Sequence, residues 1–481
     1  MRKGLLYNLI SNVIFFASGY ALHFFLGSSM SPAEYGIVGS IITVLDFEYM
    51  FLSNGARQSA AREISSKRYD IKDLILKTFA FQAILIGFFF CVNFFGAPVF
   101  GHVLNDDSLT FYFRVAAFLV PANGIYVMLL GINDGLQRFG TSALLGGIYP
   151  IAKLSAIPLI IFVFRDNPVL GVEIGFLLAL LSTTGVGAVL LLTQRRPQID
   201  QNHVTETIPF RVVAKHTLSF SFFFIIVSLV LSVDTLIVKA TIAPASYAGF
   251  YTGAVNFGKL SYSLMSAFAT IILPVVSQRI GEKDMSGALS KIQENLLLAV
   301  AFILPITLAI SATSAPLLSA FYKPEYAAAA PALSMLSLSN FFMGLIALFN
   351  MVLSAYENTH FSDALSIISL IIVVPAFIIA AKTGGITALA ATSMVCTFTG
   401  AAVSYWRILT KIGQVILPKT VYAFALNIVY CLVNVIIARL IPANLIVLAL
   451  VYVISYAGYV AMLLSVSYTH LRAHETTLHL V

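Results

Sequence analysis

Long apolar runs recur through this chain, and they restrict its fold more than any other feature. Glu325 and Glu357 bracket one run without a single charged side chain. It is long enough to cross the ~30 Å hydrocarbon layer of a bilayer with some tilt. Only 10% of the 481 residues are charged and 59% are hydrophobic, against roughly 25% charged in an ordinary soluble domain. This excludes a soluble enzyme, a disordered chain and a nucleic-acid-binding domain, despite a net charge of +7. The runs are continuous and do not alternate, so they predict helices and not a transmembrane barrel.

Fourteen transmembrane helices are expected in an all-α polytopic membrane protein. They fall near 7–27, 36–55, 76–100, 109–131, 141–164, 168–193, 217–238, 247–276, 291–314, 329–354, 362–381, 384–406, 420–439 and 443–464. The positive-inside rule tests this map. Nineteen of the 28 Lys and Arg residues fall on the side of the first loop, and five, Arg165, Lys239, Lys323, Lys382 and Arg439, fall on the other. The bias predicts a multi-pass protein of the cell membrane with both termini cytoplasmic. The run after Arg2 and Lys3 reads as a first span, not a cleaved signal. Cys91, Cys396 and Cys431 each sit inside an apolar stretch and read as small packing residues.

The chain repeats itself weakly. Pro32-Ala33-Glu34-Tyr35-Gly36 opens the second expected span, and Pro244-Ala245-Ser246-Tyr247-Ala248-Gly249 opens the eighth. The loops at Asp134-Gly135-Leu136-Gln137-Arg138 and Ser354-Ala355-Tyr356-Glu357-Asn358 lie at nearly the same offset. Six spans separate each pair, so the halves share one membrane orientation, a parallel repeat whose halves rock around a central site. The expected organisation is an N-terminal six-helix lobe (1–193), a polar connector (194–216), a second six-helix lobe (217–410) and two further helices (411–465). Residues 466–476 resemble a translated sequencing adapter, so 466–481 are expected to be a non-native tail. His470, His474 and His479 are accordingly not read as a metal cluster.

Three segments carry a resemblance to a known family. Residues 30–62 hold the Pro-x-Glu-Tyr-Gly turn, a helix and an Asn-Gly-Ala-Arg exit. Residues 231–278 hold Val-Asp-Thr-Leu-Ile, Ser-Tyr-Ala-Gly-Phe-Tyr and a Leu-Pro-Val-Val-Ser-Gln exit. Residues 384–391 read Gly-Gly-Ile-Thr-Ala-Leu-Ala-Ala. In this order they resemble the polysaccharide-exporter branch, the O-antigen-type flippases, of the multidrug/oligosaccharidyl-lipid/polysaccharide (MOP) superfamily. The resemblance implies a MATE-like V of two six-helix lobes around a central cavity, with two C-terminal helices. It also implies flipping of an undecaprenyl-diphosphate-linked oligosaccharide from the cytoplasmic to the outer leaflet. A polysaccharide polymerase is an implied partner.

Ionisable groups at bilayer depth are costly and face a cavity or a partner by default. Lys153 and Lys259 fall near the middle of spans five and eight, in opposite lobes, where they would face one anionic ligand. A diphosphate leaving water needs such cations. The competing reading is an internal salt bridge with Asp46, Glu48 or Asp234. Arg57 reads as a cavity-mouth cation or a positive-inside anchor. Arg114 reads as a substrate contact or a side chain that snorkels to the outer interface. Asp46 and Glu48 lie about 200° apart on a helix, so one faces the cavity as a proton or sodium site and the other pairs between helices. Asp234 reads as structural, a cap or a bridge to Lys239. Asn256, Asn340 and Asn350 are candidate sugar-facing donors, equally explained by interhelical hydrogen bonds. Gly146-Gly147 before Pro150 makes the fifth span a bending candidate.

No catalytic constellation, metal site or cofactor motif is present, so the chain reads as a transporter and not an enzyme. The alternatives are a cation-coupled multidrug antiporter, which should place carboxylates in its cavity, and a peptidoglycan-precursor (lipid II) flippase, which should show clustered cavity arginines.

Overall fold

The computed structural model describes residues 2–66, 69–193, 206–356, 359–441 and 444–478. Among these the chain is helical, with a lone backbone bridge between Tyr69 and Glu206. It divides into two compact units, Met1–Gly249 and Phe250–Val481.

The first unit holds α1 (Arg2–Ser29), α2 (Pro32–Tyr49), α3 (Gln58–Ser66), α4 (Ile71–Val103), α5 (Leu109–Ala116), α6 (Leu119–Gly135), α7 (Phe139–Lys153), α8 (Ala156–Phe162), α9 (Pro168–Thr193) and α10 (Phe210–Thr241). The start of α2 shows how locally its sequence is specified. The Ser31 side chain caps the Glu34 N–H, the Glu34 carboxylate returns to the Ser31 N–H, and Pro32 occupies the first turn, where a missing N–H costs nothing. Between α2 and α3 the backbone widens into a π-helix over Met50–Arg57. Such turns often occur at functional sites.

Expected spans four and five are each broken. Pro158 has no N–H to give Leu154, and the chain tightens there. The N–H groups of Leu154, Ser155 and Ile157 bond carbonyls three residues back, which ends α7 and starts α8. The bend therefore falls at 154–155, after Gly146-Gly147 and Pro150, which stay inside α7. The break between α5 and α6 likewise lies just before Pro121 and uses three-residue bonds from Phe118 and Val120.

The expected lobe boundary lay in the connector, whose residues 194–205 are outside those described. By packing, the division comes after Gly249, because α10 lies against α2, the π-helical turn and α4. An ion pair reinforces this placement. The Lys239 ammonium, 3% exposed, bonds Asp106 at 2.6 Å. Burial opposes ionisation of Asp106, but the hydrogen bonds from Lys239 and Ser108 hold its carboxyl below the usual range. A carboxyl depressed in the folded state adds stability above its unfolded value of roughly 3.9 and loses it as pH falls through the folded value. Acidification below about pH 4 is therefore expected to lower the melting temperature of wild type more than that of Asp106→Asn. Thermal unfolding of both proteins in lipid nanodiscs at neutral and acid pH checks this.

The second unit contains most of α11 (Ser246–Gly281), then α12 (Met285–Leu298), α13 (Leu304–Ala312), α14 (Ser314–Phe321), α15 (Ala330–Ala355), α16 (Thr359–Lys411), α17 (Pro418–Leu440) and α18 (Leu445–Leu478). A second π-helical turn, Ala299–Ile303, precedes Pro305, whose missing donor disturbs the ladder there. α16 is bent where the sequence expects two spans to meet. Gly384 leaves helical geometry, and Gly385 has φ +65° with ψ −154°, a conformation essentially reserved for glycine. Buried polar pairs join helices in this unit. Ser339 meets Ser393 and Thr397, and Asn427 donates to the Val300 carbonyl and the Tyr459 hydroxyl.

Among the described residues, ten helical segments are long and apolar enough to span a membrane, with a shorter apolar segment at Val13–Ser29. Large apolar side chains stand exposed along them, such as Phe88, Phe95 and Val99 on α4 and Ile428, Leu432 and Ile436 on α17. This is the outer surface of a multi-pass integral membrane protein. Cys91 belongs to that exposed surface, and Cys396 and Cys431 are half-buried, so the expectation of buried packing cysteines fails for Cys91. The apolar part of α18 ends at Ser465, and its helix continues to Leu478; residues 479–481 lie outside those described. Truncation after residue 465 is expected to leave the melting temperature and transport rate unchanged, as measured on the purified shortened protein.

Candidate functional site

A cavity of about 460 Å³ lies within the first unit, between α1, α2 with its π-helical extension, α6, α7 and α9. Each wall is a helical stripe. α2 and its extension supply Asp46, Tyr49, Met50, Ser53 and Arg57; α6 supplies Asn123, Tyr126 and Leu130; α7 supplies Ser142, Gly146, Tyr149 and Lys153. Spacings of three and four residues put each set on one helix face. α1 is held against α7 by a hydrogen bond from the Ser11 hydroxyl to the Ala143 carbonyl.

Cations sit at two levels. Lys153 ends α7, and its ammonium stands 4.1 Å from the Phe176 ring centroid and 5.4 Å from that of Tyr149. The ring faces and the negative helix terminus favour a cation there. The carboxylate of Asp46 acts on it electrostatically. Arg57 lies eleven residues along the chain from Asp46, ~16 Å at α-helical rise. Its Nε and one terminal nitrogen both donate to Asp134 Oδ2, at 3.0 and 2.8 Å, with a third of the Arg57 side chain exposed. Arg57 thus lines the cavity while paired with Asp134.

Asp46 and Glu48 diverge as their spacing requires. Asp46 is exposed to the cavity. Glu48 is 2% exposed, and both of its oxygens accept from Asn93 Nδ2 on α4 at 2.7 Å. Arg114 is exposed on α5 and is not among the cavity-lining residues. Lys259 is half-buried on α11, in the second unit, and the first unit's cavity does not include it. Asp234 is buried and accepts the Thr235 N–H at 2.7 Å, while the Lys239 ammonium is paired with Asp106. Among the asparagines, Asn340 donates to the Leu336 carbonyl of its own helix.

The aromatic lining is a feature that the sequence reading did not single out. Tyr49, Tyr126 and Tyr149 line the cavity, with the Tyr126 and Tyr149 rings 5.1 Å apart. The signal was present, because Tyr149 precedes Lys153 by one turn and Tyr49 follows Asp46 by three residues.

The fold and this polar cavity define a multi-pass membrane transporter of MATE-like architecture. Residues 1–280, more than half of the chain, match the polysaccharide biosynthesis protein family, and the chain belongs to that family. Residues 219–379 also match the MatE family. No curated protein matches the chain. Among solved structures, the lipid II flippase MurJ in an inward closed conformation superposes with TM-score 0.74 at 14% identity, covering 98% of this chain and 100% of that one. An inward-facing multidrug resistance MATE transporter of the MOP superfamily gives 0.67 at 14%, covering 83% and 94%. A MOP-superfamily transporter from Pyrococcus furiosus, described as having a binding pocket of reversed polarity, gives 0.61 at 14%, covering 86% and 96%.

Proposed function

We propose that this protein flips an undecaprenyl-diphosphate-linked oligosaccharide from the cytoplasmic to the outer leaflet by alternating access, for surface polysaccharide synthesis. The observation that carries this reading is the first unit's cavity. It presents the Lys153 ammonium and the Arg57 guanidinium beside tyrosines and the Asn123 amide. Lys153 takes the diphosphate as a point charge that can release it, and Lys259 contributes from the second unit. The hydroxyls and the amide offer hydrogen bonds to sugars. Membership of the polysaccharide biosynthesis family supports the substrate class. No step requires catalysis or a cofactor.

A fourteen-span arrangement in the inner membrane, with both termini cytoplasmic, fits the helices. α1, α10 and α11 have 28, 32 and 36 residues, and α16 with 53 residues is two spans joined at Gly384–Gly385. Counted with the ten apolar segments, these support fourteen spans. Lobes at 1–193 and 217–410, with two added helices at 411–465, remain the organisation proposed for the moving halves. Asp46, the carboxylate open to the cavity, is the proposed proton or sodium coupling group, with Glu48 its buried neighbour.

The Asp46 carboxylate in that same cavity favours a second reading, a cation-coupled multidrug antiporter. Complementation separates the two. A host lacking its oligosaccharide flippase regains surface glycan with the wild-type gene and does not with Lys153→Ala plus Lys259→Ala. Dye efflux without glycan rescue across several such hosts supports the antiporter. Rescue confined to a host lacking its lipid II flippase supports a peptidoglycan-precursor substrate.

A further inference from the structure

Glu173 lies on α9, about one and a half turns from its start at Pro168. It is 3% exposed, and neither carboxyl oxygen has a hydrogen-bond partner among the described residues. It borders a void of about 10 Å³ between α2, α6 and α9, walled by Val38, Ile41, Ile42, Leu45, Val172 and Phe176. A void of that size is at the limit for a single water.

An ionised carboxylate in such a place has lost its hydration and gained nothing in return. The described residues of the neighbouring helices do not supply a counter-ion. On α7, the Lys153 ammonium lies over the Phe176 ring, three residues beyond Glu173, and near the Tyr149 ring. On α2, Glu48 is bonded to Asn93, Asp46 faces the larger cavity and Glu34 is taken up in the helix cap. On α6, Asp134 is paired with Arg57, and the Tyr126 hydroxyl donates to the Leu145 carbonyl. On α5, Arg114 is exposed, and the Tyr112 hydroxyl donates to Asn167. α8 carries no titratable side chain. A metal cation is a poor occupant, since hard cations need several oxygen ligands and the surrounding wall is hydrocarbon.

We propose that Glu173 is a proton-binding site in the wall of the first unit, separate from Asp46 and Glu48. Binding forms one O–H bond, and release returns the proton to water. Phe176 lies between this site and the Lys153 cavity and lines both, so the two sites share a wall. The assignment does not depend on which substrate the cavity carries.

Infrared difference spectroscopy of the full-length protein in nanodiscs, wild type against Glu173→Gln, tests it. The expected result is the carbonyl stretch of a protonated acid at neutral pH, absent from the variant and lost to a carboxylate band on alkaline titration. Three results overturn the proposal: a carboxylate band at neutral pH, an acid band that never titrates, or conversion of the acid band by sodium at constant pH. The isosteric amide preserves packing, and a melting curve for each protein confirms that folded molecules are compared.

Discussion

Lys153→Ala is expected to slow translocation of a lipid-diphosphate oligosaccharide by about 10- to 100-fold at subsaturating substrate. The magnitude follows from losing one charge-assisted contact worth roughly 1.5–3 kcal/mol. Lys153 closes the end of α7 with its ammonium at the Phe176 and Tyr149 rings, so truncation removes a cavity-wall cation and leaves the helix ladder intact. Lys153→Arg keeps the charge but replaces a compact ammonium with a broad planar group. Its rate is expected to fall between those of wild type and Lys153→Ala. Initial rates in proteoliposomes at matched protein density check the series. Equal rates for all three would remove Lys153 from the site.

Gly249→Ala is expected to have the largest effect on folding. A Cβ at Gly249 would lie 1.8 Å from the Pro32 carbonyl oxygen, and one at Gly36 would lie 2.7 Å from the Ala248 Cβ and 2.8 Å from the Gly249 nitrogen. The two turn motifs that reveal the repeat in the sequence therefore pack on each other, backbone to backbone, as small residues allow in membranes. Backbone cannot swing aside as a side-chain tip can. The added methyl should cost about 1–3 kcal/mol or more, and loss of folded protein is the expected readout by size-exclusion chromatography. Gly19→Ala, where a Cβ meets nothing within 4 Å, serves as the control and should express as wild type.

The sequence made the architecture legible through patterns local to each helix. Apolar runs, the turn that opens a helix at Pro32 and the break at Gly384-Gly385, where one expected span gives way to the next, all act within a few residues. Packing partners were not legible in this way. Nothing in residues 210–241 announces that α10 lies on α2 and α4, because helix faces of similar hydropathy can satisfy many neighbours. The site shows the same division. The 200° separation of Asp46 and Glu48 is intrinsic to a helix, so the opposed environments of the two acids could be anticipated. Asn93 as the partner of Glu48, and Asp134 as the partner of Arg57, depend on tertiary approach between separate helices. Arg114 is exposed on α5, outside the lining of the first unit's cavity, and depth along a span says nothing about which side of the helix a residue occupies. The burial of Glu173 without a hydrogen-bond partner among the described residues is a property of the packed unit that no local pattern announces.

The central claim is that an anionic lipid-linked glycan is the cargo. Its most direct test is translocation by the purified wild-type protein in proteoliposomes, with a labelled undecaprenyl-diphosphate oligosaccharide in one leaflet and an organic-cation dye in parallel vesicles. The account predicts that the glycan lipid crosses faster than in protein-free vesicles and that the dye does not. Dye transport with no acceleration of the glycan lipid would contradict it.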